Sequence, residues 1–316
     1  MIGVDQDPYG ATIMNPPYEP TPMTSPLRSG LHRGTTEQEE DHPMNATARR
    51  MFELVEPIGV IPYAFDEPNE ALFALGFTDF WDTYFAGRAA PLGRVPAEVV
   101  DALFYNFAPG EVARHIPKVW DTTTPEAAFA ARQQGCVATM RRILGDHVDS
   151  PAFVRAGDLL TKAAVSAPYE GRPMYAALRA LPVPADAASR LFHAATLLRE
   201  YRGDGHIAVL MSEGINGLEA HILVALDQGM PPERFGRTHH LPAAHLAAGV
   251  DGLRRRGIVG ADGLLTESGR AVKQRIEDLT DDLAAPPYDA LAPAEIDELV
   301  TALEPLAAPL VAAQPW

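Results

Sequence analysis

Apolar residues recur along most of the chain at the three- and four-residue spacing that an amphipathic helix requires. Alanine and leucine dominate this pattern, β-branched runs are short, and prolines and glycines mark the breaks between segments. The pattern begins near Met44, whereas residues 1–43 are rich in proline and polar side chains. Such a segment cannot bury enough apolar surface to offset its ordering entropy. The chain is therefore predicted to be all-α from Met44 onward, after a disordered tail at residues 1–43.

An internal repeat lies inside the helical region. In residues 53–77 and 158–183, an offset of 106 holds without a gap from Leu54 and Leu160 onward. The identities are Leu54, Pro62, Tyr63, Ala71, Leu72, Ala74 and Leu75 with Leu160, Pro168, Tyr169, Ala177, Leu178, Ala180 and Leu181. A further match, TPEAAFAAR with LPAAHLAAG, follows at an offset of 117. The repeat predicts two fused copies, at 44–150 and 151–316, which could form within one chain the pseudo-twofold contact of a homodimer.

The second copy ends in a helix, a hairpin and a long helix. In the run HLAAGVDGLRRRGIVGADGLLTESGRAVKQRIEDLTDDL, residues 245–283, the short apolar stretches GIV and LLT flank the turn residues GADG. This order predicts a small two-stranded β-hairpin. Thr266 is placed to cap the long helix that follows.

This run resembles the winged-helix half of MarR-type regulators. The matching residues are Arg256, Gly257, Ile258, Leu265, Thr266, Gly269 and Arg270. From about residue 44 the chain also resembles an actinobacterial family of tandem helix-turn-helix proteins, in the stretches FAGRAAPLG, FYNFAP and HAATLLREYRGDGH. The resemblance implies a tandem duplicated winged-helix (MarR-like) pseudo-dimer with one hairpin wing in the second half, whose C-terminal helices, beginning with 270–284, resemble those that form dimers. It also implies a transcriptional regulator.

The residues that would read DNA argue against that function. The predicted recognition helix begins LPAAHLAAG, in which His245 is the only polar side chain, whereas base readout needs arginine, lysine, asparagine or glutamine there. The wing carries Asp262 at its turn, and the formal net charge is −16. Nucleic acid is thus disfavoured as a partner. A ligand-responsive regulator remains the alternative if a basic groove forms from Arg132, Arg234, Arg237 and Arg254–Arg256.

The most unusual stretch is LLREYRGDGHIAVL, residues 197–210. The pattern predicts a helix at 188–201 that Gly203 ends, and a second helix from about Gly205 with Asp204 as its N-cap. His206 would lie in the first turn of the second helix, where the helix dipole keeps its ring neutral and able to accept a proton.

These residues lead to a small-molecule hypothesis. Arg199 and Arg202 would anchor an anionic or aromatic metabolite in a pocket between the copies, either for sequestration or for acid–base transformation. His206 would be its hydrogen-bond partner or general base, and Asp204 would orient the bend. The ligand-binding candidates are Arg199, Arg202, His193, Tyr201, Tyr84, Tyr105 and Tyr169. The arginines could instead pair with Glu200, Glu213 or acidic groups of the first copy.

Composition bears on the size, the cellular location and the cofactors of the protein. The 316 residues are 47% hydrophobic, enough for one large or two modest domains. The single cysteine, Cys136, fits a reducing compartment, and no apolar run approaches the roughly 20 residues that span a bilayer. We therefore expect a cytoplasmic protein without a membrane partner, either a monomer or a homodimer. The sequence identifies no cofactor and no metal site; a metal- or haem-dependent enzyme using His193 or His206 is a second alternative.

Overall fold

The computed structural model describes residues 43–235 and 240–315, with side chains described from residue 46. Apart from Pro43, the predicted disordered tail lies outside the described residues. The described part is all-helical, as predicted, and contains no β-strand. Its fourteen α-helices are α1 (Pro43–Gly59), α2 (Ile61–Ala64), α3 (Asp66–Phe73), α4 (Phe80–Ala89), α5 (Ala97–Phe104), α6 (Val119–Thr122), α7 (Pro125–Leu144), α8 (Pro151–Ser166), α9 (Pro173–Arg179), α10 (Ala187–Ser212), α11 (Gly217–Asp227), α12 (Ala243–Arg255), α13 (Glu267–Ala284) and α14 (Pro293–Ala313). Short 3₁₀ turns lie at Ala90–Leu92, Val112–Arg114, Gly145–His147, Pro232–Arg234 and Pro286–Ala290.

Several long helices begin at a short polar side chain. The Asp79 carboxylate accepts hydrogen bonds from the amides of Trp81 and Asp82 at the start of α4. Thr124 and Ser150 cap α7 and α8 in the same way, and a proline follows each of them at the first helical position. Proline suits that position because its fixed φ is helical and its missing N–H would have had no partner there. Local sequence thus sets the starts of the helices that carry the core.

Helix α10 is the centre of the main hydrophobic core. It packs against α1, α7, α8, α9 and α13, and its apolar side chains are buried on nearly every side. The core that surrounds it draws on residues from 48 to 201 and from 284 to 310. A helix that is buried all round is expected to be apolar all round, so the polar residues of α10 need partners on neighbouring helices.

The predicted bend at Gly203 is wrong. Helix α10 runs unbroken from Ala187 to Ser212, and Asp186 caps it by accepting from the Ser189 amide at 2.8 Å. Packing against several neighbours holds α10 straight through the glycine, which lowers helix propensity by only about 1 kcal/mol. Asp204 and His206 therefore lie in the interior of one helix rather than at the start of a second.

A smaller hydrophobic core forms around α11 and α12. The end of α10 and one face of α13 complete it, and its buried residues are Val209, Leu210, Ile215, Ala220, Ile222, Leu223, Leu246, Leu253, Ile258, Val259, Leu265 and Ile276. Asn216 and Glu219 form a reciprocal capping box that starts α11. This unit rests on the first half of the chain at Gly217, where an added Cβ would lie 1.9 Å from the carbonyl oxygen of Tyr105.

The predicted hairpin is reduced to a single antiparallel bridge, between Val259 and Leu265. The Gly260 amide donates to the Leu264 carbonyl at 2.8 Å, and the chain then enters α13 without extending the pairing. Thr266 caps α13, as predicted, by accepting from the Gly269 amide at 2.9 Å. The turn is present, but two paired strands are not.

Helix positions follow the offsets of the sequence repeat. Shifted by 106 residues, α1 and α3 fall within two residues of α8 and α9, and the start of α4 falls within one residue of the start of α10. Shifted by 117, the start of α7 falls within one residue of the start of α12. The two halves nevertheless share the main core, so they are not separate globules.

No single helix in the described ranges is both long and apolar enough to cross a bilayer. Helices α10 and α11 would satisfy length and composition only as a pair, across a bend of 105°.

Replacing Gly203 tests whether α10 is continuous. Gly203→Ala should stabilise the protein by up to about 1 kcal/mol, because alanine favours helix and the nearest atom to an added Cβ, Glu200 Oε2, is 3.7 Å away. Gly135→Ala in α7 is the matched control, since its Cβ would lie 2.4 Å from Pro68 Cα and overpacking costs about 1–3 kcal/mol. Urea denaturation measures both. A destabilising Gly203→Ala would favour a break at that residue.

Candidate functional site

The centre of the predicted site is occupied by a buried carboxylate, Glu200, which is 3% exposed. Arg88 of α4 approaches one oxygen at 3.3 Å, and Arg199 approaches the other at 3.3 Å. Arg199 also pairs with Glu56 of α1 at 3.1 Å. Burial would raise the pKa of Glu200, but Arg88 and Arg199 outweigh burial and the pKa is lowered. Arg199, predicted to anchor a ligand, therefore holds carboxylates of the protein itself.

Two tyrosine hydroxyls extend this cluster. Arg88 donates to the Tyr84 hydroxyl at 3.1 Å, and Arg132 donates to the Tyr63 hydroxyl at 3.0 Å. The two tyrosine rings lie 5.3 Å apart. Tyr84, predicted to bind a ligand, thus packs among aromatic and cationic side chains of the first half.

Arg202 is tied to α13. Its Nη2 donates to Glu277 at 2.9 Å and to Asp281 at 3.0 Å, and its guanidinium lies 4.1 Å from the centre of the Phe52 ring. Burial alone would raise the pKa of Glu277, but Lys273 and Arg202 lower it to about 2. The second predicted anchor is therefore also neutralised within the chain.

His206 faces α13 as well. Its Nδ1 lies 3.0 Å from the Thr280 hydroxyl, whose own proton is donated to the Ile276 carbonyl. The histidine Nδ1–H must therefore be the donor to Thr280, and Nε2 keeps its lone pair. Burial lowers the pKa of His206 to about 4, so the ring is neutral at pH 7. The expected neutral state is present, but burial causes it, since His206 does not lie in a first helical turn.

Asp204 caps a different helix from the one expected. Its carboxylate accepts from the Tyr175 amide at 2.9 Å, in the first turn of α9. Burial raises the pKa of Asp204 to about 6. On the same side of α10, Tyr201 is 2% exposed and lies between the Tyr175 ring, at 5.0 Å, and the Arg172 guanidinium, at 4.0 Å. Asp204 and Tyr201 thus link α10 to α9 and to Arg172, the residue that precedes α9.

The remaining candidates lie elsewhere. His193 is 2% exposed, its ring packs edge-on against Phe129, and burial, with a smaller effect of Arg179, lowers its pKa to about 4. Tyr105 donates to the Ile215 carbonyl at 2.5 Å and helps join the two cores. The predicted residues are thus distributed over several contacts rather than gathered in one pocket.

Arg199 and Arg202 do share a cavity, but it is very small. It has room for about one water molecule. Its lining residues are Ala48, Phe52, Val55, Glu56, Leu198, Arg199, Arg202, Ala284 and Tyr288. A second cavity, beside Tyr63 and Tyr84, is no larger. Neither holds a metabolite in this conformation.

A larger open cleft lies between the end of α8 and α9, with a volume of about 610 Å³. Tyr169, a predicted ligand-binding residue, forms one wall and is 61% exposed. Arg179 forms another and donates through Nε to the Val165 carbonyl at 3.1 Å. Among the described residues, no carboxylate lies within 4 Å of the Arg179 guanidinium. Sequence analysis missed Arg179 because nothing local distinguishes it from other helical arginines.

The exposed side chains at the N-terminal end of α12 are mostly small and uncharged. The exposed residues there are Ala243, Ala244, His245, Ala247 and Ala248. At its C-terminal end, Arg254 pairs with Asp251 at 3.1 Å, and Arg256 pairs with Glu219 at 3.3 Å and donates to the Gly214 carbonyl. Alanine offers no hydrogen bond to a base edge.

The basic groove of the regulator alternative is not assembled as predicted. Arg132 is 4% exposed and bound to Tyr63, so it cannot contribute to a surface. Arg237 lies outside the described residues. The other four arginines of the predicted groove, Arg234, Arg254, Arg255 and Arg256, are exposed.

Comparison with known proteins gives one match. The model of a family described as a helix-turn-helix family matches residues 48–315, nearly the whole described part of the chain. No curated protein and no solved structure matches the chain significantly.

The pKa of His206 predicts how stability depends on pH. A histidine with a pKa near 6.5 when unfolded and about 4 when folded contributes stability above pH 6.5 that is lost as the pH falls toward 4, on the order of 3 kcal/mol. The His206→Gln variant keeps a hydrogen-bonding group but has no side chain that titrates at position 206. Its free energy of unfolding should therefore fall less between about pH 7 and about pH 4.5 than that of the wild type. Urea denaturation at the two pH values measures this. His147→Gln, at an exposed position, should behave like the wild type; an unchanged slope in His206→Gln would contradict the assignment.

Proposed function

The chain belongs to this helix-turn-helix family, and on that premise we propose that it binds a small anionic or aromatic molecule in the cleft beside Tyr169 and Arg179. The observation that supports this proposal is the size of the cleft. Its volume of about 610 Å³ lies within the range found for small-molecule sites. The cavities beside Arg199 and Tyr63 have room for about one water molecule each.

The side chains of the cleft favour this class of ligand. The Arg179 guanidinium has no carboxylate partner among the described residues, although the chain carries a formal net charge of −16. An external carboxylate or phosphate would supply that partner through paired N–H donors. The exposed Tyr169 ring offers a face on which an aromatic ring can stack. Glu170 lies in the same lining and would disfavour a highly charged anion.

The proposed ligand class is the one that the sequence predicts, but the proposed binding site is the cleft and not the region of Arg199 and Arg202. Arg199 and Arg202 are satisfied by internal carboxylates and border a water-sized cavity. A ligand there would have to break those ion pairs, which costs several kcal/mol for each charge left buried without a partner. The catalytic roles of His206 and Asp204 stay predictions.

We further propose that the chain arose by duplication of a MarR-like winged-helix unit and acts as an intramolecular pseudo-dimer. The shared helix spacing of the two halves supports this. In a homodimer two such copies would meet across a twofold axis.

A ligand-responsive DNA-binding regulator is the second candidate. It is favoured by the family, and by an α12 that presents one face to solvent next to the Val259–Leu265 bridge. Exposed Arg255 and the partly exposed Arg254 could contact phosphates. The alanine-rich start of α12 offers no base readout, so this candidate predicts contact without sequence specificity.

Aromatic anions test the proposed cleft. Benzoate and phenyl phosphate should bind the purified protein, and Arg179→Met should weaken binding about tenfold or more, because a charge-assisted hydrogen bond contributes about 1.5–3 kcal/mol. Tyr169→Ala should weaken it as well. Isothermal titration calorimetry measures the affinities. Arg255→Met is the matched control on an exposed arginine; equal affinity in Arg179→Met and Arg255→Met would remove the cleft as the site.

DNA binding separates the two candidates. Fluorescence anisotropy with the DNA upstream of the protein's own coding region should show dissociation constants no tighter than about 1 μM at about 150 mM salt, the range of non-specific contact. Arg254→Ala with Arg255→Ala should weaken even that binding, since it removes two phosphate contacts. Nanomolar binding that falls steeply between about 50 and about 200 mM salt, and is absent for unrelated DNA, would favour the regulator instead.

A further inference from the structure

Three potential metal ligands meet at the start of α4. One carboxylate oxygen each from Asp79 and Asp82 and one ring nitrogen of His115 all lie within 4.8 Å of one another. Asp82 and His115 are buried, at 8% and 7% exposure, whereas Asp79 is exposed. Asp79 Oδ1 accepts from two backbone amides as the cap of α4, which leaves Oδ2 for an ion.

His115 has a carboxylate beside each of its ring nitrogens. Its Nδ1 lies 2.7 Å from Asp82 Oδ1. Its Nε2 is buried and makes no hydrogen bond within the described residues; the nearest carboxylate oxygen, Glu111 Oε1, lies 3.5 Å away. The ring stacks on Phe85 at 4.7 Å, which fixes its plane. With an ion on Nδ1, the Glu111 carboxylate behind Nε2 would orient the ring and make Nδ1 a better ligand.

The local charge also favours a cation. Asp82 and Glu111 are both buried, and buried carboxylates need a cation or hydrogen bonds to offset desolvation. The lysine nearest to Asp82 is Lys118, at 3.2 Å, and its side chain is 63% exposed. Such a side chain can move into solvent when an ion binds. In the present arrangement the negative charge of Asp82 is therefore balanced in part by Lys118, a group that an incoming ion could displace.

We propose that Asp79, Asp82 and His115 bind one divalent first-row transition-metal ion, with Glu111 as the positioning residue for His115. Two carboxylates and one imidazole suit Mn²⁺, Fe²⁺, Co²⁺ or Zn²⁺, and the remaining coordination positions would hold water. Adjacent ligands around such an ion lie about 3 Å apart, given bonds of about 2.1 Å. The Asp82–His115 contact of 2.7 Å is close to that separation.

The site is linked to the helix-turn-helix unit. The second oxygen of Glu111 lies 2.6 Å from His240 Nδ1. His240 lies three residues before the start of α12 at Ala243. The chain of contacts from Asp82 through His115 and Glu111 thus ends on the segment that leads into α12.

Metal titration of the full chain tests the proposal. After treatment with a chelator and its removal, the protein is titrated with Mn²⁺ by electron paramagnetic resonance and with Zn²⁺ by calorimetry. We expect one ion per chain. Asp82→Asn and His115→Asn should each weaken binding about 100-fold or more, and Glu111→Gln about 10- to 100-fold, as for other groups behind a metal ligand.

The controls separate a local effect from general damage. Asp146→Asn and His147→Asn change the same residue types at exposed positions and should leave affinity unchanged. Circular dichroism checks that the buried variants fold. Lys118→Met is the variant at an exposed side chain and should bind the ion several-fold tighter, because it removes the cation that competes at Asp82. No stoichiometric binding by the wild type, wild-type affinity in His115→Asn, or no gain in Lys118→Met would each overturn the site.

Discussion

The ionised Glu200 constrains the arrangement around the centre of the protein. A carboxylate that is 3% exposed is costly to bury, and here two guanidiniums offset that cost. Arg88 comes from α4 in the first half and Arg199 from α10 itself, so the cluster can form only when the halves are packed together. Losing either arginine would leave Glu200 with less than its full compensation. The same packing fills the space in which the sequence had suggested a ligand pocket.

The sequence could predict much of the fold because its signals were local. The all-helical class of the described residues and the Thr266 cap each depend on a few neighbouring residues. The bend at Gly203 was wrong for the opposite reason. The polar run there is matched by partners far along the chain: Arg202 binds Glu277 and Asp281 on α13. A local sequence pattern shows that a segment contains polar residues. It does not show which distant residues form ion pairs and hydrogen bonds with them.

The candidate sites show the same limit. Tyr169 was predicted as a ligand-binding residue, but Arg179, in the lining of the same cleft, had no distinguishing sequence context. The acidic and histidine ligands of the proposed metal site come from residues 79, 82 and 115, with no short motif to connect them. The predicted cluster of Arg199, Arg202, Asp204 and His206 was compact in sequence, yet α10 turns these side chains toward different neighbours. Spacing of one to four residues on a helix distributes side chains around its axis as often as it gathers them.

Charge balance connects the two proposed sites. The chain carries 42 acidic and 26 basic residues, and several of its partly buried arginines are neutralised by internal carboxylates. Arg179 is half-buried and has no carboxylate within 4 Å in the described part of the chain, so an external anion would complete its interactions. At the start of α4 the signs are reversed, since the buried Asp82 carboxylate pairs with Lys118, whose side chain is 63% exposed. A folded protein is expected to bind ions where its own groups leave a charge incompletely compensated. That charge is positive at Arg179 in the cleft and negative at Asp82 near the start of α4. On this reasoning we propose an anion for the cleft and a metal ion for the start of α4.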